Sequence, residues 1–155
     1  MKGSNFLRIF AVASFLAGYS AWTITHRPPT PTLTGGTEVP FPPGIRLIRL
    51  DEAEYRWHEP GTVFLDVRSP IDYEFGHISG ALSMPEPDFE QRFPQLKDRL
   101  TQASAIVIYC KSPDCGLSLW AAIRLHNAGL KQALIFPGGW NEWFNRGLPV
   151  TRLRS

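Results

Sequence analysis

The chain has 155 residues, the length of about one domain, and its 16 Lys and Arg almost balance its 14 Asp and Glu. The small basic excess lies in the first 44 residues, so residues 45–155 carry 13 charges of each sign, which argues against a nucleic-acid binder driven by overall charge. The 43% hydrophobic and 19% charged fractions are typical of a packed globular domain, while two cysteines, Cys110 and Cys115, are too few for a disulfide framework or a four-cysteine zinc cluster.

The chain begins with an apolar segment. Residues 9–24 contain no charged side chain and are flanked by Arg8 and Arg27. Together with residues 5–8 they approach the ~20 residues that cross a bilayer as a helix, so we predict that residues 1–26 form an uncleaved transmembrane anchor. A cleaved secretory signal and a buried core helix are the alternatives. The basic groups that precede the segment favour a domain on the extracytoplasmic, periplasmic side, either anchored or released after cleavage.

A linker and one domain follow. Residues 27–44 hold six of the fourteen prolines, which predicts an extended, semi-rigid spacer. Residues 45–155 are assigned to a single α/β domain. Its strands are predicted from apolar, β-branched runs at residues 62–65, 105–109 and 132–136. Its helices are predicted from apolar spacing and end signals at residues 51–58, 89–100 and 117–128.

The alternation of strands and helices predicts a mainly parallel sheet covered by helices on both faces. Pro94 is expected to disturb the first turn of the helix at 89–100, and Gly129 to follow the end of the helix at 117–128. Ligands of such sheets collect beyond the carboxyl ends of the strands, and Cys110 directly follows the strand at 105–109. Backbone N–H groups of the next loop and the positive end of the following helix would stabilise a Cys110 thiolate, which makes it a candidate nucleophile. A buried, inert cysteine is the alternative.

Three separated motifs resemble those of the rhodanese domain family. They are LDVRSP at 65–70 with DY at 72–73 and GHISGA at 76–81, then Tyr109-Cys110, and finally GGW at 138–140 with Trp143 and GLPV at 147–150. The resemblance covers nearly all of residues 45–150. It implies a rhodanese-like three-layer α/β fold, preceded here by the predicted membrane helix. It also implies Cys110 as the nucleophile and transfer of a sulfane sulfur through a Cys110 persulfide.

The loop after Cys110 is the expected substrate-binding loop. Its candidate residues are Lys111, Ser112, Asp114, Cys115 and Gly116. The expected partners are a small anionic sulfur donor, such as thiosulfate, and a thiol or cyanide acceptor, with no nucleic acid and no cofactor. Lys111 would attract the donor as a point charge.

Three further residues are expected to support the site. Asp66 and Arg68 are predicted to pair with each other or with Asp72 in a structural ion-pair network. His77 is expected to link loops through its ring nitrogens rather than to act as a base. His58 and His126 lack ligand-like spacing with any acid or cysteine, so no metal site is predicted. Trp140 and Trp143 lie three residues apart on an expected short helix and are interpreted as packing anchors.

The loop departs from the usual family pattern. Ser118 lies eight residues after Cys110. The loop between them contains Pro113, which lacks an N–H, and it contains no Arg. The related dual-specificity phosphatases use a loop Arg to bind phosphate, so phosphatase activity is not expected. Cys115 lies close enough in sequence for a disulfide to Cys110, which would block sulfur transfer or resolve a persulfide. The alternative is a cysteine that packs as a small hydrophobic residue.

Three functions therefore remain open. The first is a membrane-tethered sulfurtransferase acting through Cys110. The second is a redox or persulfide-carrying module that uses Cys110 and Cys115. The third is a non-catalytic binding module with the same fold.

Overall fold

The structure, a computed structural model, describes residues 44–152. The predicted anchor at 1–26 and almost all of the linker at 27–44 lie outside these residues. Among the helices of residues 44–152, none combines the length and apolar character needed to cross a membrane.

The described chain alternates strands and helices. The strands are β1 (Arg46–Leu47), β2 (Thr62–Asp66), β3 (His77–Ile78), β4 (Leu82–Ser83), β5 (Ala105–Tyr109), β6 (Ala133–Phe136) and β7 (Val150–Thr151). The helices are α1 (Leu50–His58), α2 (Pro70–Phe75), α3 (Phe89–Gln102), α4 (Leu117–Asn127) and α5 (Gly139–Asn145), with a 3-10 turn at Glu86–Asp88.

Five strands form one parallel sheet in the order β1-β6-β5-β2-β4. The longest strands, β2, β5 and β6, occupy its middle, where β5 pairs with both β2 and β6. The short strands β3 and β7 form a separate antiparallel pair. The mainly parallel sheet predicted from the sequence is therefore confirmed.

Side chains alternate across the sheet and divide the core into two layers. On β5, Ile106 and Ile108 pack into the layer that contains α3 and α4, whereas Val107 and Tyr109 pack into the layer that contains α1 and α5. This is the period of two expected for a strand that is buried on both faces. Helices cover both faces, which confirms the predicted three-layer arrangement.

The element boundaries differ slightly from those expected. Helix α3 is regular from Phe89 and contains Pro94, and the irregular turn lies before it, at Glu86–Asp88. Helix α4 ends at Asn127, and Gly129 follows with a positive φ of 92°. The N–H of Leu130 donates to the carbonyl of Leu125 at 2.9 Å, so the glycine closes the helix as its position predicted.

Candidate active site

Cys110 lies at the carboxyl end of the central strand β5. Its side chain is buried and continues the alternation of the strand into the layer of α3 and α4. The Tyr109 carbonyl before it accepts a hydrogen bond from the N–H of Val67 at 3.1 Å, which extends the pairing with β2 beyond the ends of both strands. Cys110 is therefore fixed at the edge where ligands of parallel sheets bind.

Cys110 and Cys115 form a disulfide across the loop. Their Cα atoms are 6.1 Å apart, within the range that a disulfide requires. A turn brings them together, because the N–H of Cys115 donates to the carbonyl of Ser112 at 3.1 Å. These are the only two cysteines of the chain, so neither thiol is free in this structure.

Helix α5 anchors the start of the loop. The N–H of Trp140 donates to the carbonyl of Cys110 at 2.8 Å, and the N–H of Asn141 donates to that of Lys111 at 3.0 Å. Gly139 makes this approach feasible, since its φ is 58° and a Cβ there would collide with the Cys110 carbonyl. Gly139 of the GGW motif thus allows the N-terminus of α5 to contact the backbone of the candidate nucleophile.

Helix α4 begins where the loop ends. Its N-cap, Gly116, offers no side-chain cap, and its first turn holds no acidic residue. The N–H groups at a helix N-terminus favour an anion when no side chain occupies them. In this oxidised form Cys110 Sγ is bonded to Cys115 Sγ.

The other predicted loop residues take different positions. Lys111, Pro113 and Asp114 are exposed, whereas Ser112 and Gly116 are half-buried. Beside the loop lies an open groove of about 630 Å³, lined by Leu50, Ser112, Pro113, Gly138, Asn141, Glu142, Asn145 and Arg146. Solvent and small solutes can therefore approach the loop from the side of α5.

Asp66 and Arg68 form a buried ion pair on the other face of the sheet. The Arg68 guanidinium contacts both carboxylate oxygens of Asp66, with Nη2 at 2.6 Å from Oδ2, and also donates to the carbonyl of Gly76 at 2.7 Å. Burial by itself lowers the pKa of Arg68, but the hydrogen bonds and charge of Asp66 outweigh it and raise that pKa above its usual value. The predicted structural pair is thus with Asp66. Asp72 instead accepts from the hydroxyl of Ser69 at 2.7 Å.

Tyr109 completes this buried network, a role that its sequence position did not reveal. Its hydroxyl donates to Asp66 Oδ2 at 2.7 Å and accepts from the N–H of Ile78 at 3.1 Å. Burial, and then the charge of Asp66, raise the pKa of Tyr109 far above its usual value, so it stays neutral. The network joins β2, β5 and β3 in one cluster.

His77 belongs to a neighbouring contact. Its ring stacks on that of Tyr73, with centroids 3.8 Å apart, and its Nδ1 lies 2.9 Å from the Tyr73 carbonyl. Its ring therefore contacts α2 rather than the loop of Cys110. Trp143 is fully buried and donates through Nε1 to the carbonyl of Pro149 at 3.0 Å, and Trp140 is half-buried. Within residues 44–152 no cluster of three or more His, Cys, Asp or Glu side chains is arranged to hold a metal ion.

Curated proteins similar to this chain include tRNA uridine(34) hydroxylases. That of Yersinia enterocolitica is 29% identical over 109 residues, which cover 66% of this chain and 31% of that protein. That of Pectobacterium carotovorum is 28% identical over 142 residues, which cover 86% of this chain and 39% of that protein. The chain therefore spans less than two fifths of the length of these relatives.

Solved structures similar to this chain include rhodanese-like domains. A rhodanese-like domain from Anabaena matches with a TM-score of 0.58 and 28% identity, over 69% of this chain and 79% of that one. A thiosulfate sulfurtransferase from Pseudomonas aeruginosa matches with a TM-score of 0.59 and 26% identity, over 76% of this chain and 22% of that one. The family model of the rhodanese-like domain matches residues 50–146, which include β2, β5, the loop of Cys110 and α5. The chain belongs to the rhodanese-like domain family.

Proposed function

We propose that this chain is a sulfurtransferase in which reduced Cys110 accepts a sulfane sulfur and passes it to a thiophilic acceptor. The observation that carries the proposal is the position of Cys110, between the central strand β5 and a helix whose N-terminus has no side-chain cap. The positive end of the helix dipole favours a thiolate or persulfide placed there. The likeness to the Pseudomonas thiosulfate sulfurtransferase supports thiosulfate as the first donor to test.

In the proposed reaction the Cys110 thiolate attacks the outer sulfur of thiosulfate. The S–S bond of thiosulfate breaks, sulfite leaves with the electron pair, and Cys110 carries a persulfide. The acceptor then attacks the outer sulfur of that persulfide and regenerates the Cys110 thiolate. Exposed Lys111 is the cation closest to Cys110 in sequence and would favour the approach of the dianionic donor.

The test is thiocyanate formation from thiosulfate and cyanide by the full-length chain. Activity is expected only after the disulfide has been reduced, because oxidised Cys110 has no thiolate. Cys110→Ser is expected to abolish it, and Cys115→Ser is expected to retain it and to remove the need for reduction. Activity that survives in Cys110→Ser would overturn the proposal.

A redox module is the second candidate, favoured by the disulfide itself. Such a module would cycle between dithiol and disulfide without carrying sulfur. Alkylation of thiols directly in cells, followed by mass spectrometry, separates the two functions. An added sulfur on Cys110 of the Cys115→Ser variant, which cannot form the bridge, supports sulfur transfer. The absence of any added sulfur from that variant, together with a reversible loss of two hydrogens in the wild type, supports the redox module.

Small anions and thiols rank ahead of tRNA as substrates. Residues 45–155 carry 13 basic and 13 acidic side chains, without the basic excess that usually accompanies binding to RNA phosphates. The tRNA uridine(34) hydroxylases match this chain over only about a third of their length. The full-length chain is accordingly expected to show no retardation of tRNA at physiological salt.

Membrane attachment through residues 1–26, with the domain on the extracytoplasmic side, is part of the proposal. A disulfide persists in oxidising compartments, which is consistent with that location. Protease treatment of intact spheroplasts tests it, since an extracytoplasmic domain is digested and a cytoplasmic one is protected.

A further inference from the structure

Cys115 Sγ is bonded directly to Cys110 Sγ, the atom that would carry the transferred sulfur. We propose that Cys115 resolves the Cys110 persulfide, so that the chain reduces sulfane sulfur and releases it as hydrosulfide when no acceptor is present. This inference rests on the proposed function, because it requires that Cys110 first receive the sulfur.

The backbone holds both cysteines independently of the bond between them. The Cys110 carbonyl is fixed by the N–H of Trp140, and the N–H of Cys115 is fixed by the carbonyl of Ser112. The hydroxyl of Ser118 also contacts the Cys115 carbonyl at 3.5 Å, and the Cys115 side chain packs against the core. These contacts do not involve sulfur, so the two thiols are expected to stay within reach of each other after reduction.

The start of α4 favours Cys115 as an attacking thiolate. Cys115 lies two residues before Leu117, the first residue of α4, whose first turn has neither an acid nor a side-chain cap. The positive end of the helix dipole stabilises a thiolate at such a position. Lys111 contributes a positive charge close to Cys115 in sequence. Asp114, the residue next to Cys115, contributes a negative charge and is exposed.

The reaction balances without a further oxidant. The Cys115 thiolate attacks Cys110 Sγ, the inner sulfur of the persulfide, and the bond from that sulfur to the outer sulfur breaks. Hydrosulfide leaves with the electron pair, so the sulfane sulfur is reduced while the two cysteines are oxidised to the disulfide. Starting from the dithiol and thiosulfate, the products are the disulfide, sulfite and hydrogen sulfide. A second turnover requires a dithiol reductant to reopen the bridge.

The site of attack distinguishes this reaction from relay of the sulfur. Attack on the outer sulfur would move the persulfide to Cys115 and release no sulfide. Attack on the inner sulfur would instead join Cys115 Sγ to Cys110 Sγ, which is the bond present in this structure.

A single-turnover experiment on the full-length chain tests the inference. The protein is reduced, freed of reductant and mixed with thiosulfate in the absence of cyanide or any thiol. Sulfite, sulfide and the protein mass are then followed. We expect the wild type to release sulfide in equal amount to sulfite and to lose two hydrogens as the bridge forms. Cys115→Ser is expected to release sulfite but no sulfide and to keep one added sulfur atom on Cys110.

Cys115→Ala serves as the matched variant. It must behave as Cys115→Ser does, since it removes the same thiol without adding a hydroxyl.

Two outcomes overturn the inference, and they differ. A wild type that releases sulfite but keeps a stable added sulfur, with no sulfide, overturns it and leaves the proposed function intact. The absence of sulfite from the wild type and from Cys115→Ser overturns both.

Discussion

The guanidinium of Arg68 stacks on the indole of Trp140, with its carbon 4.7 Å from the ring centroid, and the backbone N–H of the same Trp140 donates to the carbonyl of Cys110. One tryptophan therefore connects the buried ion pair of the first sequence motif to the backbone of the candidate nucleophile. Contacts of this kind make the geometry of the loop dependent on residues that lie outside it.

Gly139→Ala tests the contact between α5 and the loop. The substitution places a Cβ at a φ of 58° against the Cys110 carbonyl, so both backbone strain and a steric collision oppose it. We expect the free energy of unfolding to fall by about 2 kcal/mol or more and sulfurtransferase activity to fall with it. Urea denaturation and the thiocyanate assay measure the two effects.

Gly80→Ala is the matched control. Gly80 has a φ of 83°, but a Cβ there would meet no atom within 4 Å. Only the strain remains, for which we expect about 1 kcal/mol and unchanged activity per folded molecule. Equal losses in the two variants would show that the approach to Cys110 is not what requires Gly139.

Arg68→Met tests the buried ion pair. The substitution leaves the Asp66 carboxylate, which is fully buried, without its cation. We expect destabilisation of about 3–5 kcal/mol, the usual cost of removing one partner of a buried pair. Thermal or urea denaturation measures it.

Arg46→Met provides the comparison at the surface. Arg46 bonds both oxygens of Glu52, at 2.7 and 2.9 Å, but its side chain is 53% exposed. Exposed pairs contribute about 0–1 kcal/mol, so this variant should remain near wild-type stability. A loss at Arg68 no greater than that at Arg46 contradicts the structural role of the Asp66–Arg68 pair.

The buried Tyr109 predicts a loss of stability in alkali. Its pKa in the folded chain is raised by burial and then by Asp66, so the folded state keeps a proton that the unfolded chain releases above pH 10.0. The unfolded state then binds fewer protons, and the free energy of unfolding falls as the pH rises above 10.0, by about 1.4 kcal/mol per pH unit from this group.

Tyr109→Phe removes this contribution. The variant is expected to be less stable than the wild type at neutral pH, since Asp66 and the Ile78 N–H lose a partner. Its stability should decline less steeply than that of the wild type above pH 10. Urea denaturation at a series of pH values compares the slopes, and identical slopes would mean that Tyr109 ionises normally in the folded chain.

Reduction of the disulfide should lower stability modestly. The bridge closes a short loop, with a sequence separation of 5, and restricts the unfolded chain. We expect a loss of about 2 kcal/mol in the presence of dithiothreitol. Cys115→Ser should be insensitive to the reductant, and a reductant effect of the same size in that variant would rule out the bridge as its cause.

The sequence was most informative where structure is local or buried on both faces. The strands at 62–65 and 105–109 could be predicted because continuous β-branched runs are typical of central parallel strands. The two-residue strands lack an apolar, β-branched run, since they are defined only by pairing with distant segments; they are β1, β3, β4 and β7. Helix α2 was not predicted either, because it is a short helix that consists of little more than one turn after the Ser69 N-cap.

The candidate site was likewise predictable from the sequence only in part. The proximity of Cys110 and Cys115 followed from a short sequence separation, and the Asp66–Arg68 pair from a spacing of two residues at the end of a strand. The hydrogen bond from Tyr109 to Asp66 spans 43 residues, and the anchoring of Cys110 by Trp140 joins two separate motifs. The first depends on the register that pairs Tyr109 with Asp66 across β5 and β2, and the second depends on the packing of α5 against the loop.

The alternation of side chains along β5 separates the buried ion pair from the candidate nucleophile. Adjacent side chains of a strand point to opposite sides of the sheet. The Tyr109 side chain and the Asp66–Arg68 ion pair therefore lie on one side, whereas the sulfur of Cys110 lies on the other. The Asp66–Arg68 pair thus lies across the sheet from Cys110 Sγ and reaches the loop through the contact of Arg68 with Trp140. Substitutions of exposed loop residues such as Lys111 and Asp114 are therefore expected to leave the hydrogen-bonded network of Asp66, Arg68 and Tyr109 intact.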